Sequence, residues 1–122
     1  MSRDKQNPME ALLPLGLPLY YMLLSLSRGE RHGYALKREI LQRSGGKMNL
    51  GSGVLYGSIN KMLERGLIEE SGERPDPHLD DARRRYYRIT PLGARALEAE
   101  ANRMRELVRL ADERGGLPEF AG

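Results

Sequence analysis

Apolar side chains at Leu19, Tyr20, Met22, Leu23, Leu24 and Leu26 leave no polar stripe between them. That pattern predicts a short helix from Pro18 to Ser27 that is covered on nearly every side. Gly29 is the expected stop. After a charged turn from Arg28 to His32, Gly33 opens a second segment in which Leu36, Ile40 and Leu41 face inward while Lys37, Arg38 and Glu39 face water. Ser44-Gly45-Gly46 ends it. A third helix is predicted from Ser52, whose hydroxyl is expected to cap free amides, to Arg65. Its inward residues are Leu55, Ile59, Met62 and Leu63, and Gly66 terminates it.

The period changes beyond Gly66. Leu67 to Ser71 and Arg85 to Ile89 read as two short strands of a hairpin whose long tip, Gly72 to Arg84, contains Pro75 and Pro77. Thr90-Pro91 is a cap followed by a proline suited to the first helical position, and a helical pattern then runs to about Arg114. Gly115, Gly116 and Pro118 end it. The chain is therefore expected to be mainly α with a small β-hairpin. Its expected divisions are an N-terminal arm (1–14), a winged helix-turn-helix domain (15–90), a long C-terminal dimerisation helix (91–114) and a flexible tail (115–122).

A length of 122 residues suits one domain. The absence of cysteine removes disulfide frameworks and thiolate metal sites. Charge is unevenly spread: residues 1–66 carry 10 basic and 5 acidic side chains, residues 67–122 carry 10 and 12. A basic front half invites a polyanion. The uncharged run from Ala11 to Ser27 resembles a secretion signal superficially, but Glu10 precedes it and Pro14, Gly16 and Pro18 interrupt it. The expectation is a cytoplasmic protein without a membrane partner.

Three helices followed by a hairpin form the plan of a winged helix-turn-helix. The outward residues of the third helix are then Ser52, Val54, Tyr56, Gly57, Asn60, Lys61 and Glu64. In a major groove Asn60 would suit an adenine edge, Lys61 a guanine or a phosphate, and Ser52 and Tyr56 phosphate oxygens. Arg83, Arg84, Arg85 and Arg88 cluster at the base of the hairpin, where they would follow a backbone or enter a minor groove unless Asp80 and Asp81 pair with them.

Enzyme chemistry finds no foothold. Gly46-Lys47 lacks the earlier glycine and the following Ser or Thr of a phosphate loop, and Tyr56 stands where a dinucleotide fingerprint needs its third glycine. Asp76, His78, Asp80 and Asp81 are metal-competent but sit in a proline-flanked tip that reads as a surface loop. His32, beside a glycine, reads as a backbone or phosphate contact. Neither a cofactor nor a metal is expected.

His32-Gly33-Tyr34, Gly53-Val54-Leu55-Tyr56, Leu63-Glu64-Arg65-Gly66-Leu67-Ile68 and Arg85-Tyr86-Tyr87-Arg88-Ile89-Thr90-Pro91-Leu92-Gly93 resemble the motifs of the PadR family of transcriptional regulators, over residues 16 to about 111. The resemblance implies a winged helix-turn-helix, a dimer, and repression relieved by a small molecule. It places Tyr34 at the start of the second helix, Tyr56 on the recognition helix and Tyr87 on the second wing strand. Together with the helix faces it nominates Gly33, Tyr34, Lys37, Ser52, Val54, Tyr56, Gly57, Asn60, Lys61, Arg83, Arg84 and Arg85 as DNA-binding residues. The chain departs from the family at Ser52 and Gly57, where proline is usual, and in its longer, acidic wing tip.

Leu97, Ala101, Met104, Val108 and Ala111 follow 4-3-4-3 spacing, with Leu107 alongside. A helix of this length spans roughly 36 Å, more than a small domain covers. The surplus is expected to pack on a second copy, together with the lead-in from Leu12 to Leu26, and to set two recognition helices about one DNA turn apart on an inverted-repeat operator. The family resemblance implies an effector near that interface, and the apolar residues Leu12, Leu13, Tyr20, Met104 and Val108 are the candidates to line its pocket. The competing reading is a winged protein-interaction or sensor module with little affinity for DNA.

Overall fold

The computed structural model describes residues 8–73 and 85–113. A short 3-10 helix, Pro8–Leu12, leads into α1 (Leu17–Leu26). Then follow β1 (Arg31–His32), α2 (Gly33–Arg43), α3 (Ser52–Glu64), β2 (Ile68–Glu73), β3 (Arg85–Ile89) and α4 (Pro91–Glu113). No helix among the described residues is long and apolar enough to cross a membrane.

Helix α1 is the centre of the core, and no residue from Pro18 to Leu26 is exposed. Its all-round apolar pattern has that cause: α2, α3, β3 and α4 all pack on it. Met22 and Leu23 meet Leu36 and Ile40 of α2, Ile59 and Met62 of α3, and Leu67 in one buried cluster. Glycines follow the helix ends where expected: Gly29 after α1, Gly45 and Gly46 after α2, and Gly66 after α3. After α3, Gly66 takes φ +73°, and the amides of Gly66 and Leu67 donate to the carbonyls of Leu63 and Met62. That left-handed turn satisfies two orphan carbonyls and drops Leu67 into the core.

Three local expectations need correction. Arg31 and His32 form a third strand instead of ending a turn: they pair antiparallel with Tyr87 and Tyr86, which makes β3 the centre of a sheet ordered β1-β3-β2. Two residues carry no alternation, so only their partner strand reveals them. Ser52 is the first helical residue of α3, whose N-cap is Gly51 with no side-chain hydrogen bond. The wing's first strand also reaches Glu73, with Ser71 bulged between Glu70 and Gly72.

The entry to α4 is tied to the wing from both sides. Thr90 Oγ1 accepts from the Gly93 amide at 3.0 Å and donates to the Gly66 carbonyl at 2.6 Å. At Gly93 a Cβ would lie 2.0 Å from the Leu67 carbonyl oxygen, so the helix crosses the start of β2 backbone to backbone. One face of α4 is then buried on the domain through Gly93, Ala96 and Glu100. That stripe, at i, i+3 and i+7, differs from the predicted seam, and Leu97 packs against the core of its own chain.

Glu100 was not foreseen as a structural residue. Its carboxylate is 3 % exposed, accepts from the Leu15 amide at 3.2 Å, and receives Arg103 on both oxygens at 2.6 and 3.0 Å. It thereby fastens the lead-in to α4. The Arg103 guanidinium, aided by the Leu15 amide, outweighs burial and holds the carboxyl below its ordinary range. A carboxyl lowered by folding stabilises the domain fully above the unfolded value, and that contribution disappears as pH falls through the folded value. Urea midpoints measured below pH 5 should therefore drop faster with acid in the wild type than in Glu100→Gln. Parallel profiles would contradict the tie.

Candidate nucleic-acid interface

Helix α3 divides cleanly into two faces. Leu55, Ser58, Ile59 and Met62 are buried beneath it, while Ser52, Gly53, Val54, Gly57, Asn60, Lys61 and Glu64 stand exposed. Every residue of the predicted outward set lies on the exposed side except Tyr56. That side chain is half-buried, its ring laid on Gly33, where a Cβ would come within 2.9 Å of the Tyr56 hydroxyl. Gly33 is itself buried. These two motif residues serve each other: the glycine removes the methyl that would push the tyrosine, and α3, away from the start of α2.

Three motifs distant in sequence meet at this point. The His32 Nδ1 accepts from the Ala35 amide at 3.1 Å and so caps α2, the backbone contact expected of that residue. Its ring stands edge-on to Tyr86, with centroids 5.3 Å apart. Tyr87, beside Tyr86 on β3, is buried, and burial above all, then the nearby Glu70 carboxylate and Tyr56, pushes its hydroxyl up in pKa against the opposing pull of Arg85. Helix α2, the middle of α3 and the central wing strand are therefore locked at a set angle through Gly33, Tyr56 and the two wing tyrosines.

Around this node the basic groups differ: Arg31 pairs with Glu39, whose carboxylate Arg43 also approaches at 4.0 Å. Among the described residues Lys37 and Lys61 take part in no ion pair. Lys37 is half-buried on α2, and Tyr34 is exposed with the Arg38 guanidinium 6.0 Å from its ring centre. Arg85 is exposed at the base of the wing, whereas Arg88 pairs with Glu69 across the strands at 2.6 Å. The far end of the molecule differs, since Arg103 and Arg109 on α4 are held by Glu100, Glu106 and Glu113. Arg83, Arg84 and the metal-competent tip residues Asp76, His78, Asp80 and Asp81 lie outside the described residues, as does the tail 115–122.

The residues nominated for dimerisation and effector binding separate into two groups. Leu97, Ala101 and Met104 are half-buried on the domain, while Leu107 and Val108, at 52 % and 58 % exposure, project from the outer half of α4 with Ala111 partly covered beyond them. Between α1 and α4 lies a cavity of about 140 Å³ bordered by Pro14, Leu17, Tyr20, Glu100, Arg103 and Met104. It unites Tyr20 with Met104 as expected, but Leu12 and Leu13 pack against the core instead and Val108 lies a turn beyond it. The expected apolar lining is also interrupted by the Glu100–Arg103 pair.

Comparison with known proteins supplies context for this arrangement. The model of the transcriptional regulator PadR-like family matches residues 22–99. An "uncharacterized 37.1 kDa protein in transposon TN4556" of Streptomyces fradiae is 35 % identical over 86 residues, 70 % of this chain, and the chain spans only 22 % of that protein's length. A PadR family transcription regulator from Clostridium difficile superposes with a TM-score of 0.65 at 21 % identity, covering 83 % of this chain and all of that one. Bacillus subtilis PadR in complex with operator DNA gives 0.59 at 21 % identity, covering 70 % of this chain and 47 % of that one. These structures share the fold: a small antiparallel sheet among helices, in the winged-helix arrangement.

Proposed function

Because the chain belongs to the PadR-like family of transcriptional regulators, we propose that it acts in the cytoplasm as a homodimer that binds an inverted-repeat operator and represses transcription until a small molecule releases it. The observation that carries the DNA-binding reading is the outer face of α3. Four buried residues anchor the helix from below, and on its other side Asn60 and Lys61 stand exposed, Lys61 in no ion pair among the described residues. The operator complex of the Bacillus subtilis relative supports the same reading.

In this reading α3 lies in the major groove, Asn60 reads an adenine edge, Lys61 meets guanine or phosphate, and Arg85 at the wing base follows the neighbouring backbone. The cavity between α1 and α4 is smaller than the roughly 300 Å³ of an ordinary ligand pocket. An effector therefore needs the second copy to complete its site. Bound there, it shifts the spacing of the two reading helices and favours the form that does not fit the operator.

Selection of bound duplexes from a random pool should yield an inverted repeat. On that duplex, Asn60→Ala should lose about tenfold in affinity at one base position of each half-site. Arg85→Ala should weaken all sequences alike and reduce the slope of log affinity against log salt by about one. Both variants should keep the wild-type circular dichroism. Unchanged anisotropy titrations in both would refute the surface.

A further inference from the structure

The helical glycines of this domain fall into two kinds. Gly33 and Gly93 have neighbours that exclude a side chain, Tyr56 in one case and the Leu67 carbonyl in the other. Gly53 and Gly57 have none: a Cβ at either position would meet nothing within 4 Å. They stand one turn apart on α3 and, with Asn60 three residues further, share its outermost line. A glycine inside a helix costs stability relative to alanine, and among the described residues no packing offsets that cost at Gly57.

Beside this line stands Val54, 54 % exposed, with Lys61 two turns further along the same side. Apart from the half-buried Tyr56, the first two turns of α3 thus offer water only Ser52, two glycines and one branched apolar group. Side chains this short touch a base edge only if the helix backbone comes close to the groove floor. The smallest residue at the crest permits that approach. The apolar feature of a major groove is the 5-methyl group of thymine, which apolar side chains contact directly.

We propose that Val54 is a specificity-determining residue that reads the 5-methyl group of a thymine, and that Gly57 lets α3 sink far enough into the groove for it to do so. The assignment rests on the DNA-binding reading above, and the following test lets the two fail separately. On the selected operator, each thymine is replaced in turn by deoxyuracil, which removes only the methyl group. Wild-type protein should lose about fourfold per half-site at one position, the worth of one buried methyl.

Val54→Ala should bind the thymine and deoxyuracil duplexes within twofold of each other. Gly57→Ala should melt at the same temperature as the wild type or higher, because alanine favours the helix, yet bind the operator at least tenfold more weakly. The proposal is overturned if no deoxyuracil position matters, if Val54→Ala still discriminates against the missing methyl, or if Gly57→Ala binds like the wild type. Wild-type protein that selects no duplex at all would sink the DNA-binding reading and this assignment together.

Discussion

Gly93→Ala should cost about 3 kcal/mol or more of stability, enough to unfold much of a domain of this size at 37 °C. The added Cβ would sit 2.0 Å from the Leu67 carbonyl oxygen and 2.9 Å from Ile89 Cγ1. The first neighbour is backbone, so no rotamer change relieves the clash. Either α4 lifts from the start of β2, or the turn between Gly66 and Leu67 shifts and carries the core residue Leu67 with it. Lifting α4 also strains the Thr90 hydrogen bonds to Gly66 and Gly93 that join helix and wing. Urea denaturation followed by circular dichroism measures the effect. Gly53→Ala is the matched control, because its Cβ meets nothing and alanine favours the helix. Equal midpoints for the two variants would show that the contact is not tight.

Leu107→Asp combined with Val108→Asp should convert the protein to a monomer and lower operator affinity by about two to four orders of magnitude. The 23 residues of α4 span about 34 Å, but its buried residues end at Glu100. From Arg105 to Leu110 every position is exposed, including Leu107, Val108 and Leu110. An amphipathic helix with its apolar side in water is what a second copy of the same helix would cover. A dimer binds two half-sites at once, and the second contact is intramolecular, so its loss removes avidity without touching α3. Light scattering gives the mass and anisotropy the affinity. Since both side chains are exposed, the melting curve of the monomeric fold should change little. A double variant that remains dimeric, or a wild type that is already monomeric, would reject the interface.

Much of the domain was legible along the chain because it is written in local chemistry. The all-round burial of α1 showed as an apolar run without a stripe. Gly46 and Gly66 marked helix ends because a left-handed turn favours residues without a Cβ. Thr90-Pro91 announced the start of α4 through a hydroxyl that caps and a ring already set for a first helical turn. The exposed residues of α3 followed from the complement of its apolar positions. The four motifs that resemble the PadR family were in plain view for the same reason, each being a short string with a local geometry.

What the chain could not disclose were relations between positions far apart in sequence. Tyr56 has the spacing of an outward residue, and only the approach of α2 turns it down onto Gly33. Arg31 and His32 become a strand because β3 offers free backbone groups, not because two residues prefer it. Gly93 looks like a weak helix former until the Leu67 carbonyl passes beneath it, and Glu100 looks like a solvated carboxylate until the Leu15 amide and Arg103 close around it. Periodicity records which side of an element avoids water. Which neighbour provides the shelter, and how closely, depends on the packing of whole elements, and that is why Leu97 packs on its own core while Leu107 and Val108 stand exposed.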